Sequence, residues 1–504
     1  MNVSGRPQRI LQGWSANLVQ LLLGITQQVA LIPVFLHFWT GDTLAAWLAI
    51  YAAGNLVLIA DAGLQLRAIN RFLTFKSSVD GNGRTAGYYA AMLRIYFALA
   101  AVLIAVLLAA MSLGPAAILG FRTMPDFDPA FAVMIAGMML TLPSNLVSAL
   151  YRARGLYGRA VWLQCAAMLI AQFAQLVAIV ATASLLAVTL AYVAPLLLLA
   201  IYMVAIDARR RFPFLRGAGG WMSWRWSIGQ FRRALPFALA SGTEIALQNL
   251  PVLLVSVFVA DRVAVAQWGL TRVVAGLLRA LCVQTTLPLA AELGHDYAIG
   301  AKVPLQRLYA RGSAFVTLLA GAVASGLLAF WPDFFALWTH GLIPYDPVLT
   351  LTLLIGAALA APSVLALGFA GYSDRGELLA RSKGLQFVLF LALALTLTPA
   401  IGPLGAAVAI VASDLLVQSG VLAIAIVRQT LERPARHFMF LVLLFVLVTS
   451  AGWGLGAVLR SIVPGSGLLR FLIECTLWLA IAGLAASPLA SARFRNRLSD
   501  AIPR

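Results

Sequence analysis

Apolar stretches of about 20 residues or more, the length that crosses a hydrocarbon core, recur from one end of the chain to the other, separated by short charged or Pro/Gly-rich breaks. Reading from break to break predicts spans near 12–38, 43–66, 87–113, 127–151, 160–182, 185–206, 233–259, 262–290, 310–332, 347–372, 383–400, 403–428, 437–459 and 467–489. These are fourteen helices. A bilayer offers no water to backbone groups, so spans are helices or closed barrels, and the period-2 alternation of a barrel is absent.

Polar residues interrupt some runs where lipid would reject them. Residues 241–255, SGTEIALQNLPVLLV, carry Glu244, Gln248 and Asn249 inside the seventh span. The turn between spans seven and eight falls near 260–261, and depth counts from it at about 1.5 Å per residue. Glu244 then shares a level with Arg279, and Gln248 with Arg272. Each pair on one helix has a spacing of four or seven, which puts it on one face. An ionised side chain at a helix centre costs roughly 2.5–3.5 kcal/mol on insertion scales, so these groups face partners or a wet cavity. A Glu244–Arg279 ion pair that fixes packing and a cavity lining both satisfy that requirement. In the first half, Gln28 lies level with Asn55, and Asp61 with Asn17 and Gln20. Asp414 in span twelve and Glu474 in span fourteen are further intramembrane carboxylates, Glu474 being expected to serve structure.

Composition agrees with the pattern. Hydrophobic residues make up 62% and charged residues 11%, against roughly 45–50% and 25% in soluble domains. The class is all-α, polytopic and membrane-embedded. The net charge of +18 is distributed by loop: alternate loops and both tails hold 29 Lys and Arg, the others only Arg122, Arg262, Arg460 and Arg470. The positive-inside rule then places both termini in the cytoplasm. Basic loops can also touch anionic headgroups of membrane lipids; nucleic acid is not an expected partner. The basic MNVSGRPQRI start and the polar residues after it lack a signal-peptide cleavage pattern, which predicts a retained first span. Cys165, Cys282 and Cys475 fall in separate spans, without disulfide or zinc spacing.

The two halves of the chain look alike. Gln28 to Trp47 parallels Gln248 to Trp268, Asp42 parallels Asp261, and LPSNLVSALYRARG from Leu142 parallels APSVLALGFAGYSD from Ala361, all at an offset near 220. Two six-helix bundles in the same orientation follow, at 1–208 and 233–430. A cytoplasmic linker at 209–232, with Trp221, Trp224 and Trp226 among arginines as in an interfacial helix, joins them, and two additional helices with a basic tail occupy 431–504. In transporters built from such repeats, substrate sites lie near the midplane between halves.

Catalytic chemistry has little to stand on. The outer loops are short, Asp126 and Asp128 in MPDFDPA read as turn and helix-start signals, the four histidines are scattered, and no GxxxxGK loop is present. No cofactor or metal is expected. The remaining reading is transport, with an envelope glycan polymerase or acyltransferase as a minor alternative.

The opening NLVQLLLGITQQVALIPVFLHFWTGDTLAAWLAIYAAGNLVLIADAGLQLRAINRF, the RRALPFALASG entry to span seven and IGPLGAAVAIVASDLL at span twelve resemble polysaccharide flippases of the multidrug/oligosaccharidyl-lipid/polysaccharide (MOP) exporter superfamily. The resemblance implies two six-helix bundles around a cavity open alternately to either side, often with two extra helices. It implies a polyprenyl-pyrophosphate-linked oligosaccharide as substrate and other polysaccharide assembly proteins as partners. Arg272 and Arg279 would then bind phosphate, with Gln248, Asn249 and Gln28 nearby, and Glu244, Asp61 and Asp414 would couple ions or gate. The drug-extruding branch implies the alternative: an ion-coupled exporter of organic cations working through Glu244 and Asp61.

Overall fold

The computed structural model describes residues 19–490 apart from 77, 217–223, 374 and 466. The terminal arginines Arg6, Arg9, Arg493, Arg495, Arg497 and Arg504, with Asn17 and Trp221, lie outside the described residues, as does the side chain of Trp224. Among the described residues every regular element is helical. Fourteen helices are long and apolar enough to cross a membrane; the chain is an all-α polytopic membrane protein.

We number these α1 Val19–Phe38, α2 Gly41–Ala60, α3 Gly81–Met111, α4 Phe127–Ala153, α5 Tyr157–Thr182, α6 Leu185–Arg211, α7 Trp224–Phe258, α8 Arg262–Ala298, α9 Lys302–Trp338, α10 Pro347–Tyr372, α11 Gly376–Ile401, α12 Pro403–Thr430, α13 Pro434–Ile462 and α14 Gly467–Ala486. Several run beyond their expected ends. The 37 residues of α8 rise about 55 Å, well past a hydrocarbon core of about 30 Å. Helix α11 starts seven residues before the expected 383, and Lys383, read from the sequence as a loop charge, lies two turns inside it.

Local chemistry sets the helix starts. Thr40 accepts the amide of Thr43 and Ser184 that of Ala187. Asp346 takes the amides of Val348 and Leu349, with Pro347 at the first helical position, the side-chain oxygen replacing an absent intrahelical acceptor. Asp126 and Asp128 have such structural uses: Asp128 accepts the Ala116 amide at 2.7 Å and Asp126 the Ser184 hydroxyl at 2.9 Å. Glu474 pairs with Arg470 one turn away at 2.7 Å.

The chain divides between Arg262 and Val263 into two compact units. In the first, α4 packs on α6 and α3, α5 on α6, and a helix continuing α2, Ala62–Lys76, on α4. Helix α7, which opens the second sequence repeat, packs in this unit against α2 and Ala62–Lys76. The repeat boundary and the packing boundary therefore differ by one helix. In the second unit α9 packs on α13 and α10, α12 on α11 and α10, and α14 lies on α9 and α13.

Among the described residues, three spans contain π-helical turns, at Thr26–Ala30, Tyr202–Asp207 and Asp414–Ala423. Such turns concentrate at functional positions in other helices. Here each holds buried polar side chains: Gln27, Asp207, and Asp414 with Gln418.

Candidate functional site

The densest buried polar network lies in the second unit, on four spans. Arg279, midway along α8, donates Nη1 to Asp414 Oδ2 at 2.9 Å and Nη2 to Gln418 Oε1 at 3.4 Å. Asp414 and Gln418 are four residues apart in the π-helical stretch of α12 and share a face. From α11, Gln386 donates to the other Asp414 oxygen, and Lys383 Nζ donates to Gln386 Oε1 and Gln418 Oε1, both at 2.8 Å. Gln418 Nε2 reaches Ser363 Oγ on α10 at 2.7 Å. Lys383 is 1% exposed, and Asp414, Gln386, Gln418 and Ser363 are buried too; the Arg279 side chain keeps 22% of its surface.

Desolvation makes this arrangement costly unless donors and acceptors are matched. Asp414 uses both oxygens, and Gln418 spends its carbonyl on two cations and its amide on a serine. Two cationic side chains, Arg279 and Lys383, thus share one hydrogen-bonded network with the Asp414 carboxylate.

Arg279 is paired with Asp414, 135 residues away. Counting depth down the α7–α8 turn could relate only those two helices. Lys383, Gln386 and Gln418 were missed. Their signal is present as Lys383/Gln386 and Asp414/Gln418, polar pairs at three- and four-residue spacing in apolar helices, but Lys383 falls at the expected start of span eleven, next to the basic residues Arg375 and Arg381. Arg272 lies one turn from Trp268, its guanidinium 5.9 Å from the indole centroid, a cation–π distance.

An apolar cavity of about 220 Å³ borders this network in the same unit, sharing Ser363 and walled by Leu359, Leu415, Phe438, Leu441 and Phe445. Its wall also carries polar groups, among them His437, buried, with Nε2 2.9 Å from Ser313 Oγ.

In the first unit, Asp61 occupies a break. The 3-10 turn Val57–Ala60 ends α2, Asp61 follows, and its carbonyl begins the Ala62–Lys76 helix by accepting the amides of Leu64 and Gln65 at 2.9 and 3.3 Å. Its buried carboxylate accepts the Tyr96 hydroxyl from α3 and Asn145 Nδ2 from α4 at 2.6 Å. All these donors are neutral. Asn249 is buried, donating to the Ile245 carbonyl at 2.9 Å and accepting from Asn55 at 3.5 Å. Gln248 and Gln28 are exposed, Glu244 is partly buried on α7, and it is Gln27 that turns inward, donating to Gln175 at 3.1 Å. Asp207 is held by both Arg159 Nε and Nη2, at 3.0 and 2.6 Å, and by Tyr151. That bidentate fork ties α5 to α6. No group of three or more His, Cys, Asp or Glu that could hold a metal occurs among the described residues.

No protein-family model and no curated protein matches the chain. Solved structures match it in fold. An inward-facing multidrug resistance MATE family transporter of the MOP superfamily aligns over 86% of this chain and 99% of its own, with a TM-score of 0.63 at 13% identity. The lipid II flippase MurJ in an inward closed conformation aligns over 90% and 99%, with a TM-score of 0.55 at 9% identity. A MOP superfamily transporter from Pyrococcus furiosus, described as having a binding pocket of reverse polarity, aligns over 83% and 93%, with a TM-score of 0.54 at 13% identity. The chain has the fold that these transporters share.

Proposed function

We propose that the protein is an inner-membrane flippase that moves a polyprenyl-(pyro)phosphate-linked oligosaccharide for surface polysaccharide synthesis by alternating access. The observation that carries this reading is the Arg279–Asp414–Lys383 cluster: two cations in one hydrogen-bonded network with a carboxylate suit a phosphate head that takes over the carboxylate's place on Arg279. A guanidinium matches phosphate oxygens as it matches carboxylate oxygens, through paired N–H donors. Arg272 supplies a second guanidinium on the same helix, and the adjacent apolar cavity offers surface compatible with a lipid-linked molecule. The fold shared with a lipid II flippase supports the substrate class, and the positive-inside count supports cytoplasmic termini.

The test is complementation of a flippase-deficient strain. Arg279→Ala, expressed at the parental level, is expected to lower surface glycan by about tenfold or more, because a hydrogen bond to a charged group contributes about 1.5–3 kcal/mol. Arg272→Ala is expected to weaken it less. Full glycan display by both variants would overturn the phosphate role.

The second reading, an ion-coupled exporter of organic cations through Glu244 and Asp61, is favoured by one observation, the buried Asp61 carboxylate held by neutral donors alone. Resistance to cationic dyes on expression, lost in Asp61→Asn, together with failure to complement, would replace the first reading with this one.

A further inference from the structure

A cavity of about 470 Å³ in the first unit lies at its arginine-rich end, between the Ala62–Lys76 helix, the start of α3 and the start of α7. Arg71, Phe75, Arg84, Tyr88, Trp226 and Gln230 wall it. Arg67, one turn before Arg71 and so on the same face, donates Nε to Gln230 at 2.8 Å. Burial lowers the Arg67 guanidinium below the usual arginine range; the phenol of Tyr88 works against that shift, and the charges of Arg71 and Arg233 add to it.

Positive-inside topology asks only for cations in a loop, where water solvates them. This group departs from that in three respects. Among the described residues, no carboxylate pairs with Arg67, Arg71 or Arg84. The one acid on the wall, Asp80, accepts the Gly83 amide at 3.3 Å as the cap of α3. Finally, Arg67 Nη2 and the Tyr88 hydroxyl are both buried without a hydrogen-bond partner, a costly condition unless a ligand relieves it. The Tyr88 ring is fixed edge-on between Phe72, Phe75 and Trp226, at 5.5–5.8 Å between centroids, so its hydroxyl is a preset donor.

We propose that this cavity binds a phosphate ester, the guanidiniums of Arg71 and Arg84 and the Tyr88 hydroxyl taking its oxygens while Phe75 and Trp226 face its apolar portion. Phosphate chemistry fits because N–H and O–H donors line the cavity with two arginines to one carboxylate, and that carboxylate already caps α3. The source is an anionic phospholipid headgroup or a soluble phosphate. Clustered arginines at the ends of spans have the electrostatic reach for the first. This site stands apart from the mid-span network, so it does not depend on the proposed substrate.

The experiment titrates the purified full chain in neutral detergent with phosphatidylglycerol, phosphatidylcholine or sodium pyrophosphate and reads binding by native mass spectrometry. One phosphatidylglycerol is expected to bind at least tenfold more tightly than phosphatidylcholine, and Arg71→Gln/Arg84→Gln to weaken it tenfold or more. Tyr88→Phe is expected to weaken it several-fold while leaving the ligand-free melting temperature unchanged or raised, since it deletes an unpartnered hydroxyl. Should the double variant not fold, Tyr88→Phe and the exposed Arg84→Gln alone carry the test. Pyrophosphate binding lost in the same variants, with no lipid preference, would support the site and assign it to a soluble phosphate. Equal binding of both lipids with no pyrophosphate binding, or binding of either phosphate compound indifferent to all the variants, would overturn the proposal.

Discussion

Asp414 accepts from Arg279 on one oxygen and from Gln386 on the other, so its removal takes the carboxylate from that ion pair and an acceptor from Gln386. Losing one partner of a buried ion pair costs about 3–5 kcal/mol, and Asp414→Ala is expected to lower the melting temperature of the purified protein accordingly. Arg279→Gln/Asp414→Asn, which discharges the pair together, is expected to recover most of that loss without recovering glycan display. Recovery of both would make the pair structural only. These residues also mark how far the sequence can be read. Charges within apolar runs announced Arg279 and Asp414 singly. Their partnership depends on how α8 packs against α12, and no hairpin connects those helices. Lys383 was hidden by the reverse effect: a charge near a helix end reads as loop until the helix is known to begin seven residues earlier.

At the level of single elements, spans were legible because a hydrocarbon core imposes length and polarity, and caps such as Asp346–Pro347 were legible because they satisfy amides locally. The interruptions were not. The break at Asp61 and the π turns of α1, α6 and α12 change hydrogen-bond register without changing hydropathy. Close helix contact is equally silent in a hydropathy pattern. A Cβ on Gly63 would collide with the Ala234 carbonyl where the Ala62–Lys76 helix lies on α7, and backbone cannot yield as a side chain can. Gly63→Ala is expected to cost about 1–3 kcal/mol, the usual penalty of overpacking, read as a lowered melting temperature. Gly483→Ala in α14, with open space around it, is expected to gain about 0.5–1 kcal/mol from helix propensity.

For the whole molecule, the sequence suggests an internal repeat at an offset near 220, and from it two bundles and two additional helices are expected. What the repeat did not reveal is that the packing boundary falls after α7. Duplication counts ancestry along the chain, whereas packing answers to which apolar and small-residue faces fit, as Gly63 fits Ala234 and Gly242 approaches Ile59. A membrane-inserted fragment 1–262 is therefore expected to resist limited proteolysis, while fragment 1–216, lacking α7, is cut readily within residues 57–76. Equal resistance of both fragments would remove the role given to α7. The lodging of α7 in the first unit also orders events during synthesis. Six spans can be threaded into the bilayer as they leave the ribosome, yet the surface around Gly63 stays uncovered until the seventh has followed. The first unit therefore matures only once the seventh helix has been inserted.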